Sequence, residues 1–418
     1  MGQYVVTEEQ LTKISQEYPT PFYVYRQEIM EQNYRRISGA IYPGARLFYS
    51  MKANPLLGVC QIFARLNAGI ETASKGELNL ALKAGFAPEN IIFTSPGKTR
   101  EEIVFAVKKG VKLINVESLE EAKLVNEVAK EENVVMKIGI RVNPAASYSN
   151  AKIKMSGVSS QFGIEEADLT GEFWDEIKAC DNIEVQGIQV YMGTQMLLAE
   201  DIIKNAEYAM KLALRLSDEF GFALRYLNVG GGFGVKYFKN ENELDYEALK
   251  TGMEQLKEDF GDAFDQTEVI FESGRGLMAE TGEYVTKVLY VKESKGQKYV
   301  VCDGGSNFHS SAAFLGRFIR NNFPLHTFPE GEEMGECTIC GPLCTPLDVI
   351  GQKVSVNAGI KPGDLVVIEQ SGAYGYTYSP CMFLSHEQPF ELLVTADGVK
   401  VLRERRDAEM YLEGQRLL

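Results

Sequence analysis

Residues 46–57 read RLFYSMKANPLL, a short apolar strand that ends at a lysine and is followed by Ala-Asn-Pro. A lysine at that point, Lys52, must leave the core or meet a group with which it can react. Seven comparable runs follow, at residues 69–73, 91–94, 112–116, 136–142, 184–191, 225–230 and 267–272. Helix-like segments lie between them, and several begin with Ser, Thr or an acidic residue and end with Gly. Eight such units over roughly 240 residues predict an α/β protein with a (β/α)8 barrel, rather than an open doubly wound sheet.

The pattern changes after about residue 283, where short alternating or apolar runs continue without long helices. This change indicates a separate β domain, built as a sandwich or a barrel. The opening stretch FYVYRQEI (22–29) also has the pattern of a strand and precedes the first barrel unit. We therefore predict an N-terminal segment (1–28) that joins the β domain, a barrel (29–282) and a C-terminal β domain (283–418).

Composition narrows the class of function. The chain has 418 residues, a net charge of −15 and a sequence pI of about 4.9. Such acidity argues against partners that are nucleic acids or anionic membranes. No apolar run approaches the ~20 residues needed to cross a bilayer, and the first twenty residues carry no signal-peptide pattern. The seven scattered cysteines, an odd number, favour a reducing cytoplasm over a disulfide framework.

Neither the cysteines nor the histidines predict a metal site. Cys337 and Cys340 lie an odd number of residues apart, so on a strand they would face opposite sides, and a structural role is favoured. The role of Cys344, after the Gly-Pro turn, stays open at this point. The three histidines have no metal-ligand spacing.

Polar and glycine residues collect at the carboxyl ends of the predicted strands, where barrels of this kind carry their chemistry. They are Lys52, Glu71, Arg141, Tyr191, Gly193, Thr194, Gly230, Gly231, Gly232, Glu272, Ser273, Gly274 and Arg275. Lysines and arginines that served only the core would not be expected to gather at the same rim. This convergence predicts an active site there.

The rim residues match the needs of one cofactor. Three glycines after the seventh strand, with Gly274 and Arg275 after the eighth, would suit a phosphate, although a tight turn explains the glycines equally well. Glu272 could face a ring nitrogen that must stay protonated, or form an ion pair with Arg275. Pyridoxal 5′-phosphate combines a phosphate, a pyridine nitrogen and an aldehyde that reacts with lysine. We prefer that interpretation of Lys52 over a rim lysine that only extends into solvent.

At these residues the chain resembles the fold-type III pyridoxal-phosphate-dependent decarboxylases, which include the diaminopimelate, ornithine and arginine enzymes. FYSMKANP is similar to the motif that contains the family's Schiff-base lysine, and GIETASKGEL to its second-strand motif. GIQVYMGTQ, LNVGGGFGVKY, FESGRGLMAETG, CDGG, CGPLCTPLDV and GDLVVIEQSGAYG follow in the family's order. The resemblance covers nearly the whole chain and implies a β domain similar to that of the alanine racemases.

The resemblance implies a role for each matching residue. Lys52 would bind the cofactor covalently, Glu272 would hold its ring proton, and Tyr191 stands where the family usually stacks a histidine on the ring. Residues implied at the phosphate are Gly231, Gly232, Gly274, Arg275, Tyr374 and Thr194, with Glu71 and Arg141 nearby. Cys344 would reach the active site of a neighbouring subunit and return a proton after CO2 leaves. This implies a homodimer with shared sites; without the resemblance, Cys344 would be a turn cysteine and Tyr374 a packed tyrosine.

Residues that depart from the family pattern bear on the substrate. An acid at Glu272 favours decarboxylation over racemisation, because the racemases place an arginine there. Thr345 stands where enzymes for basic amino acids carry an acid that recognises the distal ammonium, a contact worth ~1.5–3 kcal/mol. The arginine that diaminopimelate enzymes place after DGG is absent from DGGSNFHSSAAF. His309, in that stretch, is either a substrate contact or a packed side chain.

These departures favour a specialised substrate. The Cys-Thr-Pro pattern is most similar to family members that decarboxylate glutamate tethered to an acyl carrier protein in butirosin synthesis, or citryl conjugates in siderophore assembly. We expect an α-decarboxylase for an amino acid whose distal end is conjugated or carrier-bound. The alternatives are a diaminopimelate decarboxylase of lysine synthesis and, disfavoured by the retained Lys52, Glu272 and Arg275, a non-catalytic regulator.

Overall fold

The chain divides into two compact units in the computed structural model, which describes residues 5–145, 153–154, 160–238, 240–313 and 321–418. One unit comprises Glu31–Lys236 and Asn242–Leu277, and the other comprises Met1–Met30, Tyr237–Glu241 and Met278–Leu418. We call them the barrel unit and the β unit. Within the described residues, no helix has the length and apolar character required to span a membrane.

The strands and helices have the following bounds. The strands are β1 (Phe22–Arg26), β2 (Arg46–Ser50), β3 (Gly69–Thr72), β4 (Ile91–Thr94), β5 (Leu113–Val116), β6 (Met136–Asn143), β7 (Ile153–Lys154), β8 (Ile164–Glu165), β9 (Ile183–Val190), β10 (Gly193–Thr194), β11 (Tyr226–Asn228), β12 (Glu268–Ser273), β13 (Gly282–Ser294), β14 (Gln297–Cys302), β15 (Leu325–Phe328), β16 (Met334–Cys340), β17 (Val349–Asn357), β18 (Leu365–Ile368), β19 (Phe390–Thr395) and β20 (Gly398–Arg403). The α-helices are α1 (Glu8–Glu17), α2 (Gln27–Ser38), α3 (Leu57–Arg65), α4 (Lys75–Lys83), α5 (Arg100–Lys109), α6 (Leu119–Glu131), α7 (Gly171–Lys178), α8 (Ala199–Phe220), α9 (Tyr246–Phe264) and α10 (Arg275–Met278). Short 3-10 helices lie at Met51–Ala53, Pro88–Asn90, Glu166–Asp168, Ala279–Thr281, Tyr376–Tyr378, Phe383–Ser385 and Ala408–Leu412.

Eight parallel strands close into a barrel, as the sequence predicts. Their order is β5-β4-β3-β2-β12-β11-β9-β6, and the pairing of β5 with β6 closes the circle. All of these pairs are parallel, so the carboxyl ends of the eight strands point to the same rim. Each of the eight predicted strands overlaps an observed one, with ends that differ by at most two residues.

The helices between the strands begin and end where the sequence signals them. The Thr99 hydroxyl accepts from Glu102 N and the Glu102 side chain accepts from Thr99 N, which forms a capping box at the start of α5. Gly110 ends that helix in the left-handed conformation. Ser118 caps α6 in a similar way. These local signals fix the lengths of the helices that cover the strands.

The β unit is a nine-stranded mixed sheet that includes β1. This strand runs antiparallel to β13 and parallel to β19, and its residues Phe22–Tyr25 are fully or almost fully buried. The predicted strand 22–29 is too long, because Gln27 begins helix α2 after Arg26. The sequence interpretation also missed β15 and β17.

Candidate active site

Lys52 lies at the barrel rim, in the 3-10 helix that directly follows β2. Its Nζ lies 3.1 Å from both carboxylate oxygens of Glu71, at the end of the neighbouring strand β3. Glu71 is buried, whereas 47% of the Lys52 side chain is exposed. The Glu71 carboxylate therefore restrains an amine that a small molecule can still reach.

Glu272 lies near the end of β12 and is 2% exposed. Its Oε1 accepts hydrogen bonds from Asn228 Nδ2 at 2.6 Å and from Gln189 Nε2 at 2.8 Å. No described residue donates a hydrogen bond to Oε2 of Glu272. This oxygen is also absent from the described polar atoms that are fully buried without a partner. One oxygen is thus held by neutral amides, and the other remains available to a ligand.

The electrostatic surroundings of Glu272 favour its neutral form more than water does. Burial, and then the negative charge of Glu71, raise the pKa of Glu272 to about 7. The charge of Lys52, the hydrogen bond from Asn228 and the charge of Arg141 act in the opposite direction. Lys52, Glu71, Glu272 and Arg141 therefore form one electrostatic cluster at the rim.

The glycines around these carboxylates leave no room for side chains. A Cβ at Gly231 would overlap with the carbonyl oxygen of Glu272, and one at Gly232 would overlap with Met196. Gly232 also has φ +96°, a conformation that favours glycine. A Cβ at Gly274 would lie 2.9 Å from that of Ala53, next to Lys52. Close packing therefore requires glycine at these positions, and we call these three glycines of the rim the glycine cradle.

Arg141 takes part in a buried ion pair. Its Nη1 lies 2.9 Å from Glu117 Oε1, and its guanidinium lies 4.8 Å from the centre of the Phe162 ring. Glu117 also accepts from the Gly163 backbone N–H. Arg141 is therefore held on its β6 strand by a carboxylate and an aromatic face.

The other rim residues lie beside the glycines. Tyr191, partly buried, follows β9, and its Cδ2 would lie 3.0 Å from a Cβ at Gly230. Thr194 lies in the short strand β10, and Arg275 begins α10 directly after Gly274. These residues thus lie in or directly after strands of the barrel unit, beside the glycines of the rim.

The remaining candidates lie in the β unit. Cys344 is exposed in the turn between β16 and β17, and the Thr345 hydroxyl in the same turn accepts from Leu347 N at 3.3 Å. Tyr374 has φ +53°, and its carbonyl accepts from the Ser311 hydroxyl. His309 is completely buried and contacts Ser371 through Nε2 at 2.8 Å. Burial lowers the pKa of His309 to about 3, and this environment favours a packed histidine over a substrate contact.

Sequence reasoning missed three residues in contact with the predicted site: Gln189, Asn228 and Glu117. Each is a polar residue in or directly after an apolar strand, and each is buried. A polar residue in or directly after an otherwise apolar strand was the signal that could have identified them as buried site residues. The sequence could not show that two of them would converge on Glu272.

The barrel residues fit pyridoxal phosphate. The reachable amine of Lys52 suits its aldehyde, the open Oε2 of Glu272 suits its ring nitrogen, and the glycine cradle suits its phosphate. No cluster of His, Cys, Asp and Glu that could hold a metal ion is found among the described residues.

The raised pKa of Glu272 predicts a pH dependence of apoprotein stability. The folded chain binds this proton more tightly than the unfolded chain does, so the stabilisation is complete at low pH and is lost as pH rises through about 7. We expect Glu272→Gln to flatten that part of the profile of unfolding free energy against pH, measured by denaturant titration. Burial also raises the pKa of Glu283 in the β unit to about 7, so Glu283→Gln should independently flatten the same part of the profile. A Glu272→Gln profile parallel to that of the wild type would contradict this prediction.

Comparison with known proteins identifies the family. The family model described as pyridoxal-dependent decarboxylase, pyridoxal binding domain, matches residues 27–279. The L-glutamyl-[BtrI acyl-carrier protein] decarboxylase of Niallia circulans is 39% identical over 96% of this chain and 94% of its own length. The 2-[(L-alanin-3-ylcarbamoyl)methyl]-2-hydroxybutanedioate decarboxylase of Staphylococcus aureus is 31% identical over 91% of this chain and 96% of its own length. The crystal structure of diaminopimelate decarboxylase from Helicobacter pylori complexed with L-lysine superposes with a TM-score of 0.86 at 28% identity, covering 96% of this chain and 98% of that one. The chain therefore belongs to the pyridoxal-dependent decarboxylases.

Proposed function

We propose that this decarboxylase removes the α-carboxylate of an amino acid whose distal end is conjugated or bound to a carrier protein. The observation that carries the proposal is Thr345, a neutral residue at the position where a distal ammonium would need a carboxylate. The turn around it holds its hydroxyl in a backbone hydrogen bond. The similarity to a decarboxylase named for a carrier-bound glutamyl substrate supports the same conclusion.

Individual residues have distinct roles in this proposal. Lys52 would bind the cofactor covalently, Glu272 would hold the proton of its ring nitrogen, and Tyr191 would pack on its ring. The residues that would bind its phosphate are Gly231, Gly232, Gly274, Arg275, Thr194 and Tyr374. When bound, pyridoxal phosphate supplies the electron sink that takes up the bonding electrons of the departing carboxylate. Glu71 orients the Lys52 amine, and Arg141 adds positive charge to the rim cluster.

The role of Lys52 predicts a loss of colour on substitution. Lys52→Ala should lose the visible absorption of the bound cofactor and decarboxylase activity, because no other lysine amine in the described part of the chain pairs with Glu71. Absorption spectra after addition of pyridoxal phosphate and dialysis provide the measurement. Lys108→Ala, which removes a surface lysine on α5 paired with Glu132, should keep both properties. A wild-type protein that stays colourless with added cofactor would support the non-catalytic alternative.

The identity of residue 345 predicts the substrate preference. Release of CO2 should be faster from side-chain-acylated glutamate or glutamate on an acyl carrier than from free diaminopimelate, lysine or ornithine. Thr345→Asp should raise kcat/KM for the free basic amino acids by about 10- to 100-fold, because it restores a charge-assisted contact. Thr345→Asn is the matched uncharged control. Fast turnover of free diaminopimelate by the wild type would instead favour the lysine-synthesis alternative.

The exposed Cys344 supports a homodimer with shared active sites. In this arrangement Cys344 of one subunit completes the site around Lys52 of the other and returns a proton to the α-carbon after CO2 leaves. The thiol lies in an exposed turn, where a second chain could meet it.

Mixing two inactive subunits tests that arrangement. Lys52→Ala and Cys344→Ala proteins should each have low activity. When the two are co-expressed, random pairing makes about half of the dimers hybrids, and each hybrid has one intact site of two. Co-expression should therefore restore about a quarter of the wild-type activity. Mass photometry or gel filtration reports the dimer. Activity no higher than that of the two parents would show that each site is built from one chain.

We also propose that the enzyme works in the cytoplasm. All seven cysteines, each within the described residues, are free thiols in the structure. A reducing compartment preserves such thiols, including the proposed proton donor Cys344.

A further inference from the structure

The amide side chains of Gln189 and Asn228 converge on a single carboxylate oxygen. Gln189 in β9, Asn228 in β11 and Glu272 in β12 come from adjacent strands, and all three are almost completely buried. Both amides donate to Oε1 of Glu272, at 2.8 and 2.6 Å. The two donors occupy that oxygen and leave Oε2 as the oxygen open to a ligand.

The orientation of Asn228 is fixed by a ring of hydrogen bonds. The Gly230 backbone N–H donates to Asn228 Oδ1 at 2.9 Å, so the amide must present Nδ2 to Glu272. The Glu272 backbone N–H in turn donates to the Gly230 carbonyl at 2.8 Å. Asn228 therefore links the glycine turn to both the backbone and the side chain of Glu272.

Gln189 contributes a second donor at the expense of its own acceptor. Its Oε1 is buried and has no hydrogen-bond partner in the described structure. An unsatisfied buried acceptor is unfavourable. Rotating the amide would place its oxygen against the carboxylate oxygen, so the bond from Nε2 accounts for the observed orientation.

Neutral donors suit a carboxylate that must serve a cationic partner. An arginine or lysine paired directly with Glu272 would neutralise its charge and compete with a protonated ring nitrogen. Amides stabilise the ionised oxygen by hydrogen bonding without adding a positive charge. When ionised, the carboxylate thus has neutral amides as its hydrogen-bond donors among the described residues, and its charge can pair with the ligand.

We propose that Asn228 and Gln189 are positioning residues that confine the exchangeable proton of Glu272 to Oε2, the oxygen available to the cofactor's ring nitrogen. This inference deepens the proposed function and rests on the role of Glu272 given there. The charged and titratable groups that act on Glu272 are Glu71, Lys52, Arg141 and Tyr226. Since the Asn228 bond lowers the pKa of Glu272, its loss should move that pKa further upward from about 7.

Two substitutions of Asn228 separate its two hydrogen bonds. Asn228→Ala removes both, whereas Asn228→Asp keeps an acceptor for Gly230 and replaces the donor to Glu272 with an acceptor. We expect the titration midpoint of Glu272 to rise by about one pH unit or more in Asn228→Ala, and further in Asn228→Asp. The midpoint is read in the apoprotein by infrared difference spectroscopy, with Glu272→Gln identifying the band.

Two further variants complete the test. Gln189→Met should shift the midpoint in the same direction by a smaller amount, because its amide is not locked by a second bond. Asn33→Ala removes a buried amide of the barrel unit that bonds the Leu277 carbonyl and Arg36 instead, and should leave the midpoint unchanged. In the holoenzyme, the dissociation constant of pyridoxal phosphate near neutral pH should rise about tenfold in Asn228→Asp, in parallel with the midpoint.

The outcomes distinguish this inference from the proposed function. Wild-type titration in Asn228→Asp, or an equal shift in Asn33→Ala, would overturn the positioning role. If the wild type failed to bind pyridoxal phosphate, the proposed function would fail, whereas the apoprotein titration would still report on the amides. Should Asn228→Ala not fold, Asn228→Asp and Gln189→Met decide the result.

Discussion

The closure of a parallel sheet is the constraint on which the site depends. Because β5 pairs with β6, the eight strands end on one rim, and residues far apart in sequence become neighbours. Lys52 follows β2 and Glu71 ends β3, so the pairing of these two strands brings amine and carboxylate together. Glu272 comes from β12, on the other side of β2. The register of three adjacent strands therefore determines the chemistry of the rim.

The rim holds two buried carboxylates, those of Glu71 and Glu272, in one electrostatic cluster. Few groups offset their negative charge. Glu71 has the Lys52 amine, whereas Glu272 has two amides and, among the residues that the structure describes, no cation as a hydrogen-bond donor. Burial and mutual repulsion then raise the pKa of Glu272 to about 7. A group with that pKa can hold or release a proton near neutrality, which suits a partner for a pyridine nitrogen.

The β unit holds the turn that contains Cys344 and Thr345. Asp348 is buried and accepts from the backbone N–H groups of Ser306 at 2.7 Å and Leu343 at 2.8 Å. The Asp348 carboxylate therefore joins the two ends of that turn to each other and to the segment that follows β14. These bonds restrain the backbone of the turn, which presents the exposed thiol of Cys344.

The sequence alone determined the barrel, because eight apolar runs alternate with capped helices and each of these signals is local. For example, helix α5 begins after Thr99 and ends at Gly110, and the cap hydrogen bonds at both residues are formed within this segment. It also singled out Lys52, Glu71 and Glu272 through their positions at strand ends. The positions of strand ends along the sequence do not reveal which side chains meet across neighbouring strands. Only the tertiary structure decided those contacts. The convergence of Gln189 and Asn228 on one oxygen, the ion pair of Arg141 with Glu117 and the burial of His309 depend on strand register and on packing between distant segments. Those contacts arise only when the chain closes on itself, so no local pattern encodes them.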